Sequence, residues 1–192
     1  SILLPNTPEQ MPNEADEEGW ISKTYSYLDA KNNVYFMMRV RSTGPGYYLN
    51  GDSNYFDTQK QTWKTMLKEL KTEKYFNLGE FPVMQYDFVM EKGKEKAMCR
   101  TLTINRGNRS YLLLAVTEKD GEINDAIKVF FNSFQLIDYK KAYWSTQQSP
   151  DGHFSGYTPA PVKISMKKDE DGNETGLYSY VSYDSLSAVS FE

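Results

Sequence analysis

The sequence predicts an α+β fold: an antiparallel sheet with two helices packed on it, followed by a β-rich half-repeat. Three observations predict it. Between residues 83 and 117, three β-rich runs are joined by the short glycine-bearing links Lys92-Gly93-Lys94-Glu95 and Arg106-Gly107-Asn108, the mark of an antiparallel meander. Two other segments carry apolar residues at helical spacing on a polar background. The chain also begins to repeat itself near its end. Tyr-Ser-Tyr at 25–27 returns at 178–180, and the proline pair Pro5 and Pro8 is echoed by Pro159 and Pro161. Aligning Tyr25 with Tyr178 sets a period of one domain's size, so the chain reads as one whole unit followed by the opening of another.

Taken in order, the chain opens on Ser-Ile-Leu-Leu-Pro, which looks like the middle of a strand and points to a processed or trimmed N-terminus. Pro5–Gly19 is rich in Pro, Asn and acid and reads as an extended, solvated segment; its cluster Glu14, Asp16, Glu17 and Glu18 lacks the glycine-containing spacing of a cation loop. Lys23–Asp29 and Val34–Ser42 flank Ala-Lys-Asn-Asn and form a predicted hairpin. In the second run Val34, Phe36, Met38 and Val40 share one face; Tyr35, Met37, Arg39 and Arg41 share the other, which turns cationic toward its end.

A long helix is predicted over about Asn54 to Thr72, with Trp63, Met66, Leu67 and Leu70 as its apolar stripe. The meander strands are about Val83–Glu91, Lys96–Asn105 and Arg109–Thr117. In the first, Met84, Tyr86, Phe88 and Met90 alternate with Gln85, Asp87 and Glu91, one buried face and one polar face. A second helix over about Glu122 to Ser133 carries Ile123, Ile127, Phe130, Phe131 and Phe134 inward, with Glu122 and Asp125 at the positive end of its dipole. Both stripes are expected in one core, Trp63, Met66, Leu67 and Leu70 alongside Ile127, Phe130 and Phe134.

Composition bounds the function. With 39% hydrophobic, 25% charged and 15% aromatic residues, the chain is globular in character. A net charge of −4 argues against a nucleic-acid partner, and apolar runs such as Tyr111 to Val116 are too short for a transmembrane segment. Cys99 is the single cysteine; it lies in an alternating strand and reads as a small buried hydrophobe. His153 is the single histidine, in the turn signature Pro-Asp-Gly-His, which forbids multi-histidine metal sites. Asp169-Glu170-Asp171-Gly172-Asn173-Glu174 faintly suggests a calcium loop, but its glycine is misplaced and Tyr180 stands where a bidentate glutamate would, so a polar hairpin turn is expected. Asn108-Arg-Ser110 and Asn173-Glu-Thr175 are acceptor-like sequons in turns. No nucleotide fingerprint or catalytic-serine elbow appears, and no cofactor is expected. What remains is tyrosine on polar stretches: Tyr47, Tyr48, Tyr55, Tyr157 and Tyr183 form a possible recognition surface.

The order of motifs resembles the PsbP/Mog-like fold of bacterial exported proteins. The residues that carry the resemblance are Pro5 and Pro8, Tyr111-Leu112-Leu113-Leu114, and Phe130-Phe131-Asn132-Ser133-Phe134 before Gln135-Leu136. It covers residues 1–138 and restarts near Ser149-Pro150-Asp151-Gly152-His153-Phe154-Ser155. The implied organisation is a PsbP/Mog-like domain over 1–138, a linker over 139–153 and a partial second repeat over 154–192. In that repeat Gly176–Ser182 should pair with Ala188–Glu192, as Ser22–Leu28 pairs with Val34–Val40. The half-copy should add strands to the first sheet or pair with a neighbouring chain in a strand-swapped dimer. The resemblance implies an extracytoplasmic binding or assembly module that is not an enzyme, whose partner is another protein or its own second repeat. A carboxylate-dependent hydrolase and a small-ligand carrier are the alternatives.

Overall fold

The computed structural model describes residues 1–17, 19–43, 49, 53–92, 95–118, 123–138, 144–149, 152, 154–159, 163–184 and 189–191. They fall into two compact units, one of residues 1–43 and 49–137, the other with residues from Asp138 onward.

In the first unit, β1 (Glu9–Gln10), β2 (Glu14–Ala15), β3 (Ile21–Asp29), β4 (Val34–Ser42), β5 (Leu67–Leu78), β6 (Phe81–Lys92), β7 (Glu95–Arg106) and β8 (Arg109–Thr117) build one eight-stranded sheet. Its order is β1-β3-β4-β8-β7-β6-β5, with β2 also on β3, and every pairing is antiparallel. Among the described residues the helices are α1 (Ser53–Met66) and α2 (Asp125–Asn132). The protein is therefore α+β, a mostly antiparallel sheet with two helices.

Local chemistry explains the joints. Between β3 and β4 the Asp29 carboxylate accepts from the backbone of Lys31 and Asn32 and from the Asn32 amide, while Asn33 takes the left-handed conformation (φ 52°) that closes the turn. Those bonds, that from the Asn32 amide foremost, hold the Asp29 carboxyl below its usual range. Gly107 (φ 60°) serves the two-residue turn from β7 to β8. At α2, Asn124 caps the start by accepting from Ile127 N–H at 3.0 Å. The opening residues are not a strand. Ser1 and Gln135 exchange backbone bonds of 2.6 and 2.8 Å, and Leu3 N–H donates to Ser133 Oγ just past α2.

The two helices lie on opposite faces, which corrects the expectation of a single shared core. Ile127, Phe130 and Phe134 pack on Val34, Phe36, Val83, Leu102, Ile104, Leu113 and Ala115, with the Phe36 and Phe130 rings 5.0 Å apart. Phe56 and Trp63 of α1 pack instead on Met84, Tyr86, Phe88 and Cys99, the alternate residues of the same strands. The predicted polar face of β6 is thus covered too. Asp87 lies on α2's face, 5% exposed, and is neutralised by two 2.7 Å bonds from Arg100.

The long helix is also corrected. It ends at Met66, and Leu67 and Leu70 belong to β5, opposite Met90 and Phe88. Leu70 is 42% exposed. The side chain of Met66 lies outside the described residues.

In the second unit, β9 (Ser145–Gln148) pairs with β10 (Ser155–Thr158), so the stretch read as linker carries a strand. β12 (Glu174–Asp184) pairs with β13 (Val189–Phe191) through Ser182–Asp184 and with β11 (Lys163–Lys168) through Glu174–Val181, so most of the stretch expected to face residues 188–192 meets β11 instead. The half-copy's strands thus pair with one another in a three-stranded sheet, where the sequence placed them on the first sheet or a neighbouring chain.

Candidate functional site

The predicted recognition tyrosines do not form one described surface. Tyr47 and Tyr48 lie outside the described residues. Tyr55 sits half-buried on α1 in the first unit. Tyr183 lies on β12 opposite Ser190, its side chain outside the described set. Tyr157, on β10, is 65% exposed and stands 5.6 Å from the ring of Trp144, itself 38% exposed, with the planes tilted by 31°.

The hairpin that carries this pair is short and locally closed. Ser149 N–H donates to the Phe154 carbonyl at 2.9 Å, Phe154 N–H donates to Ser149 Oγ at 3.2 Å, and Gly152 takes φ 74° in the turn. Thr158 is buried, whereas Phe154 at the turn is 52% exposed. The arrangement offers three aromatic side chains on a scaffold of two four-residue strands. Sequence reasoning missed Trp144, because the polar run Ser-Thr-Gln-Gln beside it reads as linker. The usable signal was the tryptophan itself, stranded in polar surroundings.

Several chemistry-bearing groups of the first unit are engaged by one another. Under α1, Lys60 Nζ, Tyr75 Oη and Tyr86 Oη converge on Glu73 Oε1 at 2.5, 3.0 and 3.3 Å, and the two tyrosine hydroxyls are 3.0 Å apart. The Lys60 bond, outweighing burial, holds the Glu73 carboxyl below its ordinary value and in turn raises Lys60. Burial first, then Tyr75, pushes the Tyr86 phenol up. Such a carboxylate stays ionised and already accepts from three donors, so it ties α1 to β5 and has no proton to give. Asp87 is equally committed to Arg100. The Cys99 thiol is buried and pushed up to about 12, which suits a core side chain and not a nucleophile.

His153 lies outside the described residues. At the hairpin turn from β11 to β12, Asp169 accepts from the backbone of Asn173 at 2.7 Å and Asp171 at 3.1 Å, and from the Asn173 amide at 3.3 Å. These bonds, the Asn173 backbone bond foremost, hold its carboxyl low and spend its oxygens on the turn. In the N-terminal acid cluster, Asp16 pairs with Arg41, whose guanidinium lies 4.2 Å from the Trp20 ring.

One groove of about 450 Å³ opens on α2's side of the sheet, where an eight-residue helix leaves twelve-residue strands uncovered. Val89 and Met98 line it, with Lys68, Lys71, Lys96, Glu69 and Ala97. Among the described residues no helix is long and apolar enough to cross a membrane. No family model matches the chain, and neither a curated protein nor a solved structure is significantly similar to it.

Proposed function

We propose that the chain is a non-catalytic binding or assembly module of an exported bacterial protein, meeting a partner protein through the aromatic hairpin of its second unit. The observation that carries this reading is the exposed Trp144–Tyr157 pair with Phe154 at the turn below it. Tryptophan and tyrosine concentrate binding energy at protein interfaces, because each buries large area with few rotamers to freeze. A hairpin that already holds two of them in contact lowers that ordering cost further.

The PsbP/Mog-like reading draws support from the element order: hairpin, helix, meander, helix, with β5 as an addition before the meander. The tandem reading draws support from a parallel in local pairing. In the first unit, Gln10 and Glu9 of β1 lie opposite Tyr25 and Ser26 of β3. In the second, Met166 and Ser165 of β11 lie opposite Tyr178 and Ser179 of β12. Each Tyr-Ser-Tyr strand is therefore flanked by an earlier antiparallel strand and by a later one through a hairpin, the later strand meeting Tyr25–Tyr27 in the first unit and Ser182–Asp184 in the second.

The test is affinity capture from envelope extracts with the full chain and with the Trp144→Ala/Tyr157→Ala double variant. A partner retained by the first and lost by the second is the expected result. Identical capture by both, with the hairpin still folded, defeats the reading.

A further inference from the structure

β5 is the outermost strand on its side of the first sheet, with β6 as its one partner strand among the described residues. Such an edge presents a row of backbone N–H and C=O groups ready to pair with another strand, and proteins guard it with bulges and lysines. Here the guard covers half of the strand. The register of β5 on β6 shifts between Leu67 and Glu69 and again between Leu70 and Thr72, so Lys68 and Lys71 are the two bulged residues. From Thr72 to Leu78 the register runs unbroken against Asp87 to Phe81. In that stretch Tyr75 is 54% and Phe76 43% exposed, and Gly79 (φ 65°) ends it.

We propose that residues 72–78 pair antiparallel with the same residues of a second copy, about a two-fold axis through Tyr75, so that the sheet continues from one copy into the other. A two-fold axis normal to the sheet keeps each face on its own side, so residues directly opposite must be an even number apart. The axis then passes through a residue, and side-chain chemistry chooses which. Centred on Glu73 or Lys74, it sets like charges against each other. Centred on Phe76, it leaves Thr72 and Glu73 beyond the end of the opposing strand. Centred on Tyr75, it uses the whole regular stretch. Lys74 then faces Phe76, Glu73 faces Asn77, Thr72 faces Leu78, and the two Tyr75 rings meet at the centre. Lys74 has no ion partner among the described residues, and an aromatic ring opposite it is a favourable neighbour. The strand length matches an ordinary sheet strand. The inference concerns the first unit and stands apart from the aromatic hairpin of the second.

Cysteine pairing on the full chain reads the register directly. The native Cys99 is buried with its thiol pushed up to about 12, so an introduced thiol reports alone. Directly opposed residues have Cα atoms about 4.5–5.5 Å apart, within disulfide reach. Tyr75→Cys should oxidise to a covalent dimer. Glu73→Cys and Asn77→Cys should each stay largely unlinked alone and cross-link when mixed, which keeps the register testable if Tyr75→Cys folds poorly. By sedimentation, wild type should be a reversible dimer, and Tyr75→Lys should weaken it by about tenfold or more with the circular dichroism unchanged, since 1.4 kcal/mol is a factor of ten. A monomeric wild type, a dimer indifferent to Tyr75→Lys, cross-linking by Glu73→Cys alone, or open-ended assemblies growing with concentration would each overturn the proposal.

Discussion

The two faces of the first sheet are built from alternate residues of the same strands, yet they are held by different means. On α2's face, apolar residues fill the contact: Ile127 and Phe130 are 0% and 1% exposed, and the helix is capped by Asn124. On α1's face, two half-buried aromatics do the packing, and a polar knot of Lys60, Glu73, Tyr75 and Tyr86 does the fastening. That face also carries buried polar groups without a hydrogen-bond partner among the described residues: the Trp63 indole N–H, the hydroxyls of Thr101 and Thr103, and the Asn105 amide. Each such group costs about 1–3 kcal/mol. The difference teaches that α2 is core and α1 is a tethered cover.

The largest effect expected is at Phe130. Phe130→Ala should cost about 3–5 kcal/mol by urea denaturation, and Trp63→Ala, half-buried on the other face, about 2 kcal/mol. Equal losses would break the comparison. Next comes the ion pair on α2's face. Arg100→Ala leaves the Asp87 carboxylate buried without its partner and should cost about 3 kcal/mol, whereas Arg100→Met with Asp87→Leu should recover most of it. A double variant no better than the single one would mean that the pair supplies more than mutual neutralisation.

The pH dependence sharpens the contrast. The Glu73 carboxyl is lowered from 4.5 in the fold, so its stabilisation is present above that value and is lost as pH falls through the lowered one. Lys60 is raised from 10.5, so its contribution is present below that value and is lost as pH climbs through the raised one. Glu73→Gln should therefore flatten the acid limb of the stability profile, read as a smaller drop in urea midpoint between pH 7 and pH 3. An unchanged drop would place the acid sensitivity elsewhere. The smallest effect has the opposite sign. Thr103→Val replaces an unpartnered buried hydroxyl with a methyl of the same shape and should stabilise by about 1 kcal/mol. A loss of stability there would show that the hydroxyl is engaged.

Much of the fold is legible in the sequence where a single period dominates. The hairpin of β3 and β4, the strands β6 to β8 and the helix α2 follow from alternation, glycine joints and one apolar stripe. The face each helix takes is not legible, because Met84, Tyr86 and Phe88 look like the only buried side of β6 until Arg100 neutralises Asp87 on the other. Of the candidate surface, Tyr157 is legible as an exposed aromatic, while its neighbour Trp144 is hidden by a polar run whose strand character comes from pairing with β10. β5 misleads for a definable reason. Its two bulges put Leu67, Leu70 and Glu73 opposite Met90, Phe88 and Tyr86, so residues three apart meet residues two apart. A bulged strand thereby imitates the spacing of a helix.

That imitation has a kinetic consequence. α1 passes into β5 without an intervening loop, Met66 ending one and Leu67 starting the other. A chain emerging from synthesis holds residues 59–71 as a stretch in which ten of thirteen side chains are the good helix formers Gln, Lys, Met, Leu and Glu, with β6 not yet made to oppose it. A peptide of residues 53–78 should be helical past Met66 in trifluoroethanol. In the whole chain, the conversion of its second half to strand waits for β6, which makes this joint a place where folding is slowed by a local preference that the finished sheet overrules.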